Sequence, residues 1–180
     1  MASKRKLATC SLAGCFGCHM SLLDLDERLF DLLELVEFDR SPFNDIKSIR
    51  GMVDIGLIEG GLCNAESVHV LHHFREHCRV LVSVGACALT GGIPSMRNHH
   101  SLKDCLEESY IRGIGVENPH VPDDPELPLL LDKVYPLHEV VRVDYYVPGC
   151  PPSADALWHV LTALIAGRDP RLPTSLLRFD

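Results

Sequence analysis

Long apolar runs are missing from this sequence: nowhere does it keep together the roughly 20 apolar residues that a membrane-crossing helix needs. Positive charge is scarce as well, with 17 Lys and Arg against 25 Asp and Glu and a formal charge of -8. Lys4, Arg5 and Lys6 form the one basic cluster. Phosphate backbones and anionic lipid surfaces are held by a clustered excess of Lys and Arg, so neither nucleic acid nor membrane is expected as a partner. After Leu7, residues Cys10, Ser11 and Gly14 interrupt any apolar leader, and no twin-arginine pair is present. A cytoplasmic protein is the expectation. There is no internal repeat, and only one C-x-x-C pair.

What remains is ordinary apart from one residue type. At 180 residues, 46% apolar and 23% charged, the chain suits one globular domain over 1–180 with a core of its own. Eight cysteines are many for such a length. In a reducing compartment they read as metal ligands or small buried hydrophobes before they read as disulfides.

Short β-branched apolar runs alternate with stretches of helical period, the pattern of a parallel sheet with crossover helices. Strands are predicted at 6–12, 36–38, 52–58, 79–84 and 140–147. Leu22, Leu25, Leu29, Leu32, Leu33 and Val36 recur at spacings of three and four, which predicts one amphipathic helix over 20–35. Further helices are predicted over 64–77, near 102–109, and around Leu157 to Leu164, the last ended by Gly167. Pro119, Pro122, Pro125 and Pro128 make 113–138 a rigid excursion outside the central sheet, and 168–180 a C-terminal tail. The predicted fold is α/β: a flavodoxin-like, doubly wound, mostly parallel five-stranded sheet, with ligands beyond the carboxyl ends of its strands.

At that edge the predicted topology gathers Cys15 and Cys18 after the first strand, Cys87 in a Gly-rich loop after the fourth, and Cys150 after the fifth. Gly14, Gly17, Gly85, Gly91, Gly92 and Gly149 flank them, letting backbone approach an inorganic core. Four thiolates, one pair in a C-x-x-C turn and two remote, suit a [4Fe-4S] cluster. Zinc is the alternative, although zinc ribbons usually present two such pairs. Helices starting near His19 and Ser153, the latter a candidate N-cap, are expected to aim amide groups at the site.

The runs C-F-G-C-H-M-S-L-L-D-L-D at 15–26, G-A-C-A-L-T-G-G at 85–92 and P-G-C-P-P-S at 148–153 resemble nickel-iron hydrogenase small subunits. Met96, Arg97 and Asn98 and the run D-Y-Y-V-P-G-C-P-P-S-A-D fit the short subunit of the cytoplasmic, bidirectional NAD-reducing group. The resemblance implies that Cys15, Cys18, Cys87 and Cys150 hold the proximal [4Fe-4S] cluster beside a Ni-Fe centre carried by a large subunit. It implies no catalytic residue in this chain, and a proton or hydrogen-bond role for Glu59 in I-E-G-G. Two departures stand out: Gly14 occupies a position where many relatives have Glu, and the chain reaches Asp180 without a Cys/His-rich extension. Electrons are therefore expected to leave for diaphorase subunits that carry further iron-sulfur clusters and FMN and reduce NAD. The related cluster-bearing subunit of respiratory complex I is an alternative, but that group has adjacent cysteines where Phe16 and Gly17 here separate Cys15 from Cys18.

Of the other cysteines, Cys10, Cys78 and Cys105 are expected to be buried thiols, and Cys63 lies on the ligand edge. His19 is a candidate hydrogen-bond donor to a cluster sulfur. His69, His73 and His77 share a helix face that offers no acidic or cysteine partner at ligand spacing, so a solvated surface is expected there. The loop after the first strand lacks a hydroxyl-rich phosphate-binding run, and flavin is expected in a partner.

Overall fold

A computed structural model describes residues 4–179. In chain order its elements are β1 (Arg5–Ser11), α1 (Gly17–Leu23), α2 (Arg28–Leu35), β2 (Val36–Phe38), β3 (Val53–Glu59), β4 (Leu62–Asn64), α3 (Ala65–His77), β5 (Cys78–Val84), α4 (Gly85–Thr90), α5 (Leu102–Tyr110), β6 (Leu130–Tyr135), β7 (Tyr145–Val147) and α6 (Ala154–Ile165), with three short 3-10 turns at Ile93–His99, Leu137–Glu139 and Thr174–Leu176. β2, β1, β3, β5 and β7 lie side by side in that order, and every neighbouring pair is parallel. This is the doubly wound order of flavodoxin-like sheets.

Strand periodicity sorts the core into two layers. Leu7, Ile55, Leu57, Val82 and Val84 face α1, α2 and α6 and pack on Leu22, Leu32, Leu157 and Leu161. Ala8, Cys10, Ile58 and Leu81 face the other way and meet Leu71, Phe74, Ala88 and Leu137. Both faces are covered, so the strands read as continuous apolar runs. Each fully buried Leu or Phe contributes on the order of 2 kcal/mol. Gly56 admits a neighbour's sulfur: a Cβ there would lie 2.6 Å from the Cys78 Sγ. Burial pushes that thiol up to about 12, so it stays a neutral, inert hydrophobe.

Three predicted elements differ. The helix over 20–35 is two helices, because Asp26 takes a left-handed φ of 51° and the turn between them is closed by i+3 bonds such as Arg28 N–H to the Leu25 carbonyl, 3.1 Å. Leu25 is still buried at the joint. The strand over 140–147 shrinks to Tyr145–Val147, since Val140 and Val141 donate back to the Leu137 carbonyl. Asp144 then uses its carboxylate to accept from Leu81 N–H at 2.8 Å, and the ladder begins one residue later. Within the Pro-rich excursion, β6 pairs antiparallel with β4 in a separate two-stranded sheet. Asn98 clamps that sheet: its side chain accepts from Val134 N–H at 2.7 Å and donates to the Val134 carbonyl at 2.9 Å.

Among the described residues no helix is long and apolar enough to cross a membrane.

Candidate metal centre

β1, β5 and β7 all end at one edge of the sheet, and the segments leaving them carry the cysteines. Cys15 sits in the turn after β1 and Cys18 in the first turn of α1. Cys87 is the third residue of α4 rather than part of a loop; Ala86, Ala88 and Leu89 favour helix, and Gly91 ends it at φ 87°. Cys150 follows β7. All four line a single cavity with Gly14, Gly17, Glu59 and Gly60, and nearly all of its exposed lining is non-polar.

The glycines make this approach possible. A Cβ on Gly85, whose φ is +81°, would stand 2.2 Å from the Cys18 Sγ, and one on Gly92 would stand 2.9 Å from the Cys87 Sγ. At Gly17 it would lie 3.1 Å from the Cys15 Sγ. Any side chain at Gly85 or Gly92 would occupy space the sulfurs need.

Electrostatics decide what such a set can hold. Burial raises the Cys18 thiol far above its ordinary range, with the Glu59 charge next. Cys87 is raised by burial and then by the charges of Cys150 and Cys15. Cys18 and Cys87 become thiolates in such surroundings only beside a strongly positive core. An all-sulfur donor set suits zinc or an iron-sulfur cluster, and the residues present fit either.

Glu59 ends β3 almost wholly buried and takes two bonds from α1. Its Oε2 accepts from Cys18 N–H at 2.9 Å and its Oε1 from His19 Nδ1–H at 2.7 Å. Burial works against its charge, but these bonds, led by His19, outweigh it and hold the carboxyl below the usual range. The chain of contacts continues from His19 Nε2 to Thr9 Oγ1 at 3.0 Å and from there to Ser41 Oγ at 2.8 Å. Phe16 stacks on the His19 ring with centroids 4.7 Å apart. Both ring nitrogens are therefore taken, and neither is offered to a cluster sulfur. The α1 amide expected to face the site likewise goes to Glu59, while Ser153 caps α6 by accepting from Ala156 N–H at 3.2 Å.

The remaining cysteines separate. Cys10 and Cys78 are buried. Cys63 faces a different cavity, with Cys10 and Arg40. Cys105 is only half-buried, because α5 buries none of its residues; it lines an open groove with Arg97 and His100.

Residues 15–164 match the family model described as NADH ubiquinone oxidoreductase, 20 Kd subunit. The chain belongs to that family. Similar proteins are named as hydrogenase subunits. One is the NAD-reducing hydrogenase HoxS subunit delta of Cupriavidus necator, 49% identical over 98% of this chain and 86% of the relative. Another is an F420-non-reducing hydrogenase subunit of Methanothermobacter marburgensis, 38% identical over 98% of this chain but 58% of its own length. A crystal structure of an NAD+-reducing [NiFe]-hydrogenase in the H2-reduced state contains a chain that superposes with a TM-score of 0.96 at 54% identity, covering 99% of this chain and 100% of that one. At 18% identity, a [NiFeSe]-hydrogenase chain of Dm. baculatum shares the fold with a TM-score of 0.57, covering 92% of this chain and 63% of its own. The family description carries the name of the respiratory alternative, so both readings of the cysteine motifs draw on one family.

Proposed function

We propose that this chain is the electron-transfer small subunit of a nickel-iron hydrogenase that reduces NAD, holding one [4Fe-4S] cluster on Cys15, Cys18, Cys87 and Cys150. The observation that carries the reading is the convergence of these four thiols, from three distant parts of the sequence, on one glycine-lined cavity at the carboxyl edge of a parallel sheet. Membership of the family and 49% identity to an NAD-reducing hydrogenase subunit support it.

A cluster bound there supplies one-electron chemistry. The chain's own residues prepare its seat. Gly85 and Gly92 leave the sulfurs room, and Glu59 holds the α1 turn through the Cys18 amide. Glu59 takes a positioning role, and the chemistry of hydrogen itself is assigned to the large subunit. Cys15 and Cys150 are exposed, as are Ile93 and Met96 beyond Cys87; there we place the large subunit with its Ni-Fe centre. Diaphorase subunits with further iron-sulfur clusters and FMN take the electrons on. We place the assembly in the cytoplasm, where eight free cysteines stay reduced.

Anaerobic purification of the assembled complex, followed by iron and acid-labile sulfide analysis of this subunit, tests the proposal. About four irons with matching sulfide and broad visible absorption are expected. One colourless zinc per chain would refute it in favour of the zinc alternative.

A further inference from the structure

The last turn of α3 gathers a second group of metal-ligating side chains. His73, Glu76 and His77 each bring a donor atom within 4.8 Å of the other two. The sequence alone suggested no acidic partner for the histidines; Glu76 supplies one, and His69 falls outside the group. Positions i, i+3 and i+4 share one helix face, so the juxtaposition is built into the helical repeat.

We propose that His73, Glu76 and His77 bind a divalent first-row transition ion of the zinc class, at the end of the molecule opposite the cysteines. α3 starts beside the carboxyl end of β3 and runs back to the start of β5. One seven-residue strand, about 20 Å, therefore separates this turn from the Cys87 segment. The site does not depend on the cluster.

Three observations support the assignment. His77 Nδ1–H donates to the His73 carbonyl at 2.8 Å, which leaves its Nε2 lone pair free, and such a bond from the non-ligating nitrogen is usual for metal-bound histidine. The His73 and His77 rings lie side by side with centroids 4.2 Å apart. Finally, Arg75 in the same turn is bonded to Asp144 at 2.6 Å, which fixes the backbone that carries the ligands.

Two imidazole nitrogens and one carboxylate oxygen form a borderline donor set, suited to zinc, cobalt, nickel or copper rather than magnesium or calcium. The negative end of the α3 dipole adds to the attraction. Glu76 is exposed and the histidines half-buried, so an ion reaches the group from solvent, and water completes its coordination. All three ligands come from one turn, so the bound ion clamps the end of α3.

The test uses the assembled, cluster-loaded protein, dialysed to equilibrium against micromolar zinc with its iron content measured alongside. One zinc per chain is expected, with only nitrogen and oxygen neighbours in its X-ray absorption spectrum. His73→Gln, Glu76→Gln and His77→Gln should each weaken binding about tenfold or more, with unchanged circular dichroism and iron, while His69→Gln binds as the native protein does. Sulfur in the zinc shell, undiminished binding in the three variants, or equal loss in His69→Gln would overturn the proposal.

Discussion

Cys18 and Glu59 are 41 residues apart in sequence and joined by a 2.9 Å hydrogen bond from the Cys18 amide to the Glu59 carboxylate. The same carboxylate holds the ring of His19. One acidic residue at a strand end thus orients the helix turn that presents the Cys18 sulfur, and places a negative charge beside it.

Glu59→Gln keeps the size and removes the charge. In the proposed cluster the reduced form would carry the extra electron, so loss of a nearby negative charge would favour it. The midpoint potential should rise on the order of 50 mV, as expected for a unit charge several ångströms away at an effective dielectric between protein and water. A redox titration followed by electron paramagnetic resonance reads this directly, and a fall in potential would contradict the electrostatic role.

Gly85→Ala and Gly167→Ala separate crowding from backbone strain. Both glycines have positive φ, but a Cβ at Gly85 meets the Cys18 Sγ at 2.2 Å whereas one at Gly167 meets nothing within 4 Å. Gly167→Ala should lower stability by about 1 kcal/mol and leave the iron content unchanged. Gly85→Ala should lose most of the iron.

Cys87→Ser and Cys150→Ser should each abolish the cluster and the electron flow from hydrogen, whereas Cys105→Ser keeps both. Iron analysis and dye reduction by hydrogen distinguish these outcomes. Equal loss in all three would remove the ligand assignment.

Asp144 ties β5 to the segment before β7, and acid should release it. Burial opposes its charge, but the bonds from Arg75 and Leu81 N–H hold the carboxyl below the usual carboxylate range. Its stabilisation is therefore complete above the unfolded value of about 3.9 and fades as pH falls through the lower folded value. Asp144→Asn should lose about 1–2 kcal/mol at pH 7, with the gap from the native protein closing on acidification in thermal melts.

The sheet was legible because β3 and β5 are apolar runs covered on both faces, and the cysteines were legible because each follows a strand that ends at the same edge. The break at Asp26 was not, since Leu22, Leu25 and Leu29 keep helical spacing straight across it while a left-handed residue leaves no mark in hydrophobic period. β4 and β6 escaped notice because three residues beside Gly60 and Gly61 are too few to show alternation, and their partner lies among prolines. The Glu59–His19–Thr9 contacts join residues from three elements. The sequence marked Glu59 and His19 separately, and Thr9, a polar residue inside the apolar run of β1, was the signal that could have joined them. Glu76 was visible in the sequence, but which helical rotamers bring it to both histidines was not.

Gly56 and Cys78 behave as a lock and its tumbler. Because the sulfur of one fills the space left by the other, Gly56→Ala alone should jam the centre of the sheet, while adding Cys78→Ala should restore much of the loss. What either position can hold is then set by the residue at the other, a constraint internal to the sheet.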